Sequence, residues 1–144
     1  MSSKSVANRK GFSLLEILVV LVVLGILLGI SGFFLSGYLR QQRLNEATRF
    51  FGETLRRVAE TATGESQGYE VTLSGSTISW QPSLGSGTVK SQTLPNGVTL
   101  TSPVTTFNFT GRGILEGAGH RFTVSLSDRD RAVYLAPTGA VMYP

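Results

Sequence analysis

Arg9-Lys10-Gly11-Phe12-Ser13-Leu14-Leu15-Glu16 stands directly ahead of an apolar run with no formal charge from Ile17 to Leu39. Those 23 residues are enough to cross a hydrocarbon core of about 30 Å as a helix. An ordinary secretory signal has a shorter apolar core and a small-residue cleavage site behind it. Here Phe33, Phe34 and Leu35 occupy the place where an Ala-x-Ala would be needed. Glu16 is the odd member, because a charge within a spanning helix costs roughly 2.5–3.5 kcal/mol on insertion scales. A basic tip, a small residue, an aromatic and then one carboxylate imply a chain cut at Gly11. The helix that remains would pack against copies or relatives, which neutralise the acid.

The helical pattern continues past the apolar run. Leu44, Thr48, Phe51, Leu55, Val58 and Ala62 recur every three or four residues and define one apolar face. Arg49/Glu53, Glu53/Arg57 and Arg56/Glu60 are opposite charges spaced i,i+4 on the rest of the surface. No proline interrupts Phe12 to Ala62, so one helix about 75 Å long is expected at ~1.5 Å per residue. Gly64 and Gly68 are the expected stop. Beyond Tyr69 the chain is rich in Thr, Ser, Val and Gly and alternates in short runs. Expected strands are Tyr69–Leu73, Thr77–Gln81, Thr88–Thr93, Val98–Thr101, Thr105–Phe109, His120–Leu126, Ala132–Ala136 and Ala140–Tyr143. Turns separate them, including one over Ser127 to Asp130. The fold class is α+β: a long N-terminal helix, apolar then amphipathic, packed on a C-terminal antiparallel sheet.

The net charge of +4 rests largely on Lys4, Arg9 and Lys10; without them ten basic residues face nine acidic ones. The early cations read as a topology signal that holds the N-terminus in the cytoplasm. With no cysteine and His120 the sole histidine, a zinc or Cys/His centre cannot be built. Asp128 and Asp130 around Arg129 are too few for a calcium loop. No phosphate loop or nucleophile elbow occurs, and Gly111-Arg112-Gly113 fails the dinucleotide fingerprint. No enzyme, metal or cofactor is expected.

Lys10-Gly11-Phe12-Ser13-Leu14-Leu15-Glu16 resembles the prepilin peptidase site of the type IV pilin superfamily, which includes type II secretion pseudopilins. Phe107-Asn108-Phe109-Thr110-Gly111-Arg112-Gly113 and the Pro137-Thr138-Gly139 turn are similar to the GspH/FimT group of minor pilins. The resemblance implies the pilin fold and three parts: a leader over 1–11, a transmembrane and assembly helix over 12–39, and a periplasmic head over 40–144. In the head, 40–62 is the amphipathic half of the helix and 69–143 the β-rich part.

The resemblance also implies partners. Prepilin peptidase would cut between Gly11 and Phe12 and methylate the Phe12 amine. The subunit would wait in the inner membrane, N-terminus cytoplasmic and head periplasmic, and then join other pilin or pseudopilin subunits through the helix. Glu16 would pair with the Phe12 amine of a neighbour; two charges about 4 Å apart attract by roughly 4 kcal/mol at an effective dielectric near 20. Gly25, Gly29, Gly32 and Ser36 line one small-residue face suited to close helix approach. The proline common midway along pilin helices is absent, and Phe33 stands in that region. The expected function is a structural subunit that assembles into or primes a type II secretion pseudopilus or type IV pilus. Some FimT-like pilins bind DNA in natural transformation (competence) through a basic C-terminal tail. Gly139-Ala140-Val141-Met142 carries no cation, which leaves Arg112, Arg121, Arg129 and Arg131 as weak DNA-contact candidates. A single-pass membrane protein with an unrelated β-rich head is the remaining alternative.

Overall fold

The computed structural model describes residues 13–144 except position 86, and no side chain at 31–34 or 96. Helix α1 runs from Leu14 to Glu65. The chain divides between Tyr38 and Leu39 into two compact units.

In the first unit the helix is apolar all round, and its described side chains are largely exposed, from Leu14 at 82% to Leu24 at 47%. A helix with no polar face cannot hold itself in water. By length and composition this one suffices to cross a membrane.

In the second unit the expected face is the buried one. Leu44, Phe51, Leu55, Val58 and Ala62 are all at most 1% exposed, with Thr48 at 5%. Thr48 donates from Oγ1 to the carbonyl of Leu44 at 2.6 Å, so its hydroxyl is satisfied inside the core. Of the three expected i,i+4 ion pairs, Arg56–Glu60 closes at 3.0 Å. Arg49/Glu53 and Glu53/Arg57 do not close among the described residues.

The helix stops at Glu65, one residue beyond Gly64 and short of Gly68. Ser66 takes the left-handed conformation (φ +50°). Its N–H bonds the Thr63 carbonyl at 3.2 Å, and the Gln67 N–H bonds that of Ala62 at 3.1 Å. This is a Schellman stop with serine where glycine is usual.

Eight strands follow: β1 (Tyr69–Ser74), β2 (Thr77–Pro82), β3 (Lys90–Thr93), β4 (Thr99–Thr101), β5 (Thr106–Phe109), β6 (His120–Leu126), β7 (Arg129–Leu135) and β8 (Val141–Met142). They form two antiparallel four-stranded sheets, ordered β3-β2-β1-β5 and β4-β6-β7-β8, rather than the one sheet expected. The reason lies in the edges. β1 has a partner on each side. The outer edge of β5 is taken by residues 114–116: Phe109 bridges Leu115, and the Glu116 N–H bonds the Asn108 carbonyl at 2.9 Å. No edge beside β5 remains for β6, which pairs with β4 and β7 instead. β7 begins earlier than expected, because Leu126 pairs with Arg129 and Ser125 with Asp130. The turn therefore shrinks to Ser127-Asp128, with Ser127 at φ +58°.

Three rings tie the layers together. Phe51 of α1 meets Phe122 of β6 edge-on, centroids 5.2 Å apart. Phe107 of β5 lies 5.6 Å from Phe122. Each layer contributes one ring. Such contacts add ~0.5–1.5 kcal/mol per pair beyond their buried area.

Candidate functional site

Gly11 and Phe12, the expected cleavage and methylation positions, lie outside the described residues. The structure begins beside them. The Ser13 carbonyl accepts the first helical bonds, from the N–H of Glu16 at 3.0 Å and of Ile17 at 3.3 Å. Glu16 is thus an exposed acid in the first turn of α1, where unpaired N–H groups favour negative charge by about 0.3–1 kcal/mol. Ser13 and Glu16 also have the S-x-x-E spacing of a capping box, a signal legible in the sequence but absent from the expectation for Glu16.

Gly25 and Gly29 are open: a Cβ built on either meets no atom within 4 Å. Their backbone is free for close approach by another helix. Gly32 lies within the helix, at a position whose surroundings are not described.

The four arginines considered for DNA are not brought together. Arg112 sits in the loop packed on the C-terminal turns of α1, since a Cβ on its neighbour Gly113 would meet Thr63 Oγ1 at 2.5 Å and the Ala59 carbonyl at 2.9 Å. Arg129 donates to Gln41 Oε1 at 2.8 Å, 18 residues earlier on the helix than Ala59, or about 27 Å. Arg121 alternates with buried Phe122 and so lies on the outer face of its sheet. Arg131 shares the strand face of Arg129. His120 is packed against Phe107 and Phe122, centroids 5.8 and 6.2 Å away. No metal-binding group of three or more His, Cys, Asp or Glu occurs among the described residues.

A groove of about 1040 Å³ was not anticipated. One wall is α1, with Arg49, Glu53, Arg56 and Glu60; the other carries Arg112 and Tyr143. Its floor exists because glycines allow backbones to meet. Gly113 (φ +71°) packs on the helix, and Gly139 (φ +82°) packs on the Gly113 carbonyl, where a side chain has no room. Gly52 leaves space for the Tyr143 hydroxyl over the helix. Burial pushes the Tyr143 pKa up, helped by the Glu53 charge and opposed by Arg49 and Arg56. The groove's residues come from distant parts of the chain, so no local pattern announces it.

Comparison with known proteins agrees with this geometry. The prokaryotic N-terminal methylation motif matches residues 6–32. Two crystal structures of the type IV minor pilin FimU from Pseudomonas aeruginosa share the fold. One has a TM-score of 0.61 and 15% identity, over 74% of this chain and 92% of that one. The other has a TM-score of 0.57 and 16% identity, over 69% and 91%. No curated protein matches in sequence. The motif implies processing by prepilin peptidase and assembly with other pilins, and the apolar helix behind it fits a membrane-anchored pilin. The chain thus carries a prokaryotic N-terminal methylation motif and shares the fold of a type IV minor pilin.

Proposed function

We propose that this chain is a minor pilin or pseudopilin of the GspH/FimT kind, a structural subunit that primes or joins a type IV pilus or type II secretion pseudopilus. Residues 1–11 are the leader. Prepilin peptidase cuts between Gly11 and Phe12 and methylates the Phe12 amine. Residues 12–39 anchor the subunit once through the inner membrane, N-terminus cytoplasmic, and residues 40–144 form a periplasmic head. During assembly Glu16 pairs with the Phe12 amine of a neighbour, while Gly25, Gly29 and Gly32 let the helices close.

The carrying observation is the methylation motif over residues 6–32 on a chain with the fold of a minor pilin. Mass spectrometry of the natively purified chain tests it: the expected first residue is N-methylphenylalanine at Phe12, and a chain retaining Met1–Gly11 overturns the reading. Glu16→Gln is expected to be processed normally and to enter filaments at least tenfold less often. Equal incorporation removes the role given to Glu16.

A further inference from the structure

We infer that the head docks on an anionic phospholipid surface through the β6–β7 hairpin end, with Arg40, Arg43, Arg129 and Arg131 as the contact. The inference rests on the reading of the apolar half of α1 as a membrane anchor.

The feature begins on β7. Its inner face carries Val133 and Leu135, both fully buried, and by alternation the same face continues through Arg131 to Arg129. Both arginines are exposed. A row that faces the core at one end is therefore cationic at the other. That cationic end is held to α1 by Arg129, which donates to Gln41 Oε1 at 2.8 Å. Arg40 and Arg43 flank Gln41 on the helix and are exposed as well. Arg40 stands one turn before buried Leu44, on the same side of the helix. None of the four arginines forms an ion pair among the described residues. The acids close in sequence mostly face elsewhere. Asp130 alternates onto the outer face of β7. Glu46 lies about 200° round the helix from Leu44. Asp128 sits in the exposed turn and partly offsets the positive charge.

Depth selects the partner. Gln41 lies two residues past Leu39, where the apolar run ends, a rise of about 3 Å. The headgroup layer on either side of a hydrocarbon core is about 5–8 Å thick. With the apolar run filling the core, the contact between Arg129 and Gln41 is level with the lipid phosphates. A guanidinium matches the fork of phosphate oxygens and holds its charge at any ordinary pH. Cations clustered beside a spanning helix are drawn to anionic lipid. Arg40 and Arg43 would meet headgroups on any such helix. Arg129 and Arg131 come from some 90 residues later in the chain, so the lipid grips the head itself as well as its stalk.

The test uses the full chain in lipid nanodiscs of phosphatidylcholine, alone or mixed with phosphatidylglycerol, at low salt, where exposed charges are least screened. The chain has no native cysteine, so Ser127→Cys carries a fluorophore at the hairpin tip, and a headgroup-labelled lipid quenches it. Leu84→Cys is the control. The Leu84 carbonyl accepts from Gln67 Nε2 at 2.6 Å, just past the end of α1 at Glu65, which is 24 residues or about 36 Å beyond Gln41. Phosphatidylglycerol is expected to deepen quenching at position 127 and to leave position 84 unchanged. One cation near an anionic surface strengthens attachment about fivefold, so Arg129→Gln with Arg131→Gln should lower the docked-to-undocked ratio about 25-fold. Arg129→Lys with Arg131→Lys should hold that ratio to within about threefold, and a thermal melt confirms that each variant is folded. Quenching at 127 that survives the glutamine pair overturns the proposal. So does an equal loss in the lysine pair, which would trace the effect to the bond with Gln41 instead of charge. Quenching abolished by duplex DNA at about 1 µM would assign the arginines to nucleic acid and also overturns it. A chain that fails to enter the discs refutes the anchor, and the docking with it; one that enters, with quenching at 127 blind to lipid charge, refutes the docking alone.

Discussion

Gly52→Ala probes how the C-terminal strand is held to the helix. In a helix interior Gly→Ala ordinarily adds ~0.8–1.0 kcal/mol of stability. Here the new methyl would overlap the Tyr143 hydroxyl, come within 2.9 Å of Tyr143 Cζ and 3.0 Å of Val141 Cγ1. Tyr143 is 51% exposed, so its ring swings away more easily than the backbone shifts. The cost is then the apolar surface that the displaced ring returns to water. Half of the roughly 150–250 Å² that an aromatic side chain buries is about 100 Å². At roughly 25 cal/mol/Å² that amounts to about 2.5 kcal/mol as an upper figure. The net expectation is a loss of about 1.5 kcal/mol. In a Tyr143→Ala background the obstruction is gone, and Gly52→Ala should add about 0.5–1 kcal/mol. The sign therefore reverses, with a coupling near 2 kcal/mol. Urea unfolding of fragment Leu39–Pro144, which holds every core residue, measures the four corners of the cycle. Equal stabilisation by Gly52→Ala in both backgrounds would show that Tyr143 does not rest on Gly52.

Phe51→Ala, at a fully buried ring touching Phe122, should cost about 3–5 kcal/mol in the same assay; a loss under 1 kcal/mol would contradict the packing. Ser66→Gly should stabilise by about 0.5–1 kcal/mol, since a non-glycine residue is strained at φ +50°, and an unchanged urea midpoint would argue against the left-handed stop. Tyr69 donates to Glu65 Oε2 at 2.6 Å; that bond, then burial, then the Glu65 charge raise its pKa. The folded state holds this proton more tightly than the unfolded chain does. Its contribution should be complete below about pH 10 and fall as pH climbs through the raised value. Urea midpoints between pH 8 and 11.5 should drop less steeply for Tyr69→Phe.

The helix face was legible because burial on one side of a helix demands the three-and-four spacing that Leu44, Phe51, Leu55 and Val58 display. The β1–β2 and β6–β7 hairpins were legible because alternation and a tight turn are local. Division into two sheets was not. It follows from Leu115 covering the edge at Phe109 and from β4 pairing β6 across some 25 residues, pairings that no local pattern encodes. The helix stop moved from the glycines to Ser66 because the hydrogen bonds from Ser66 and Gln67 fix the end, and a Cβ at Gly111 would press on the Ser66 carbonyl carbon at 2.7 Å. At the N-terminus the residue types spelled out the methylation motif that matches residues 6–32. The arginines formed no such pattern, because strand alternation and loop position scattered them, and the groove emerged only when residues 49–64 met 112–113 and 138–143.

The contact of Phe51, Phe107 and Phe122 has a mechanical consequence. One ring comes from the helix and one from each sheet, so axial tension on α1 is shared by both sheets at a common node. Neither can peel off alone without exposing the rings of the other two layers. A subunit hauled by its helix out of a lipid bilayer would carry its head as one load, and amide protons of β5 and β6 would exchange with deuterium together, in the slowest class of the molecule.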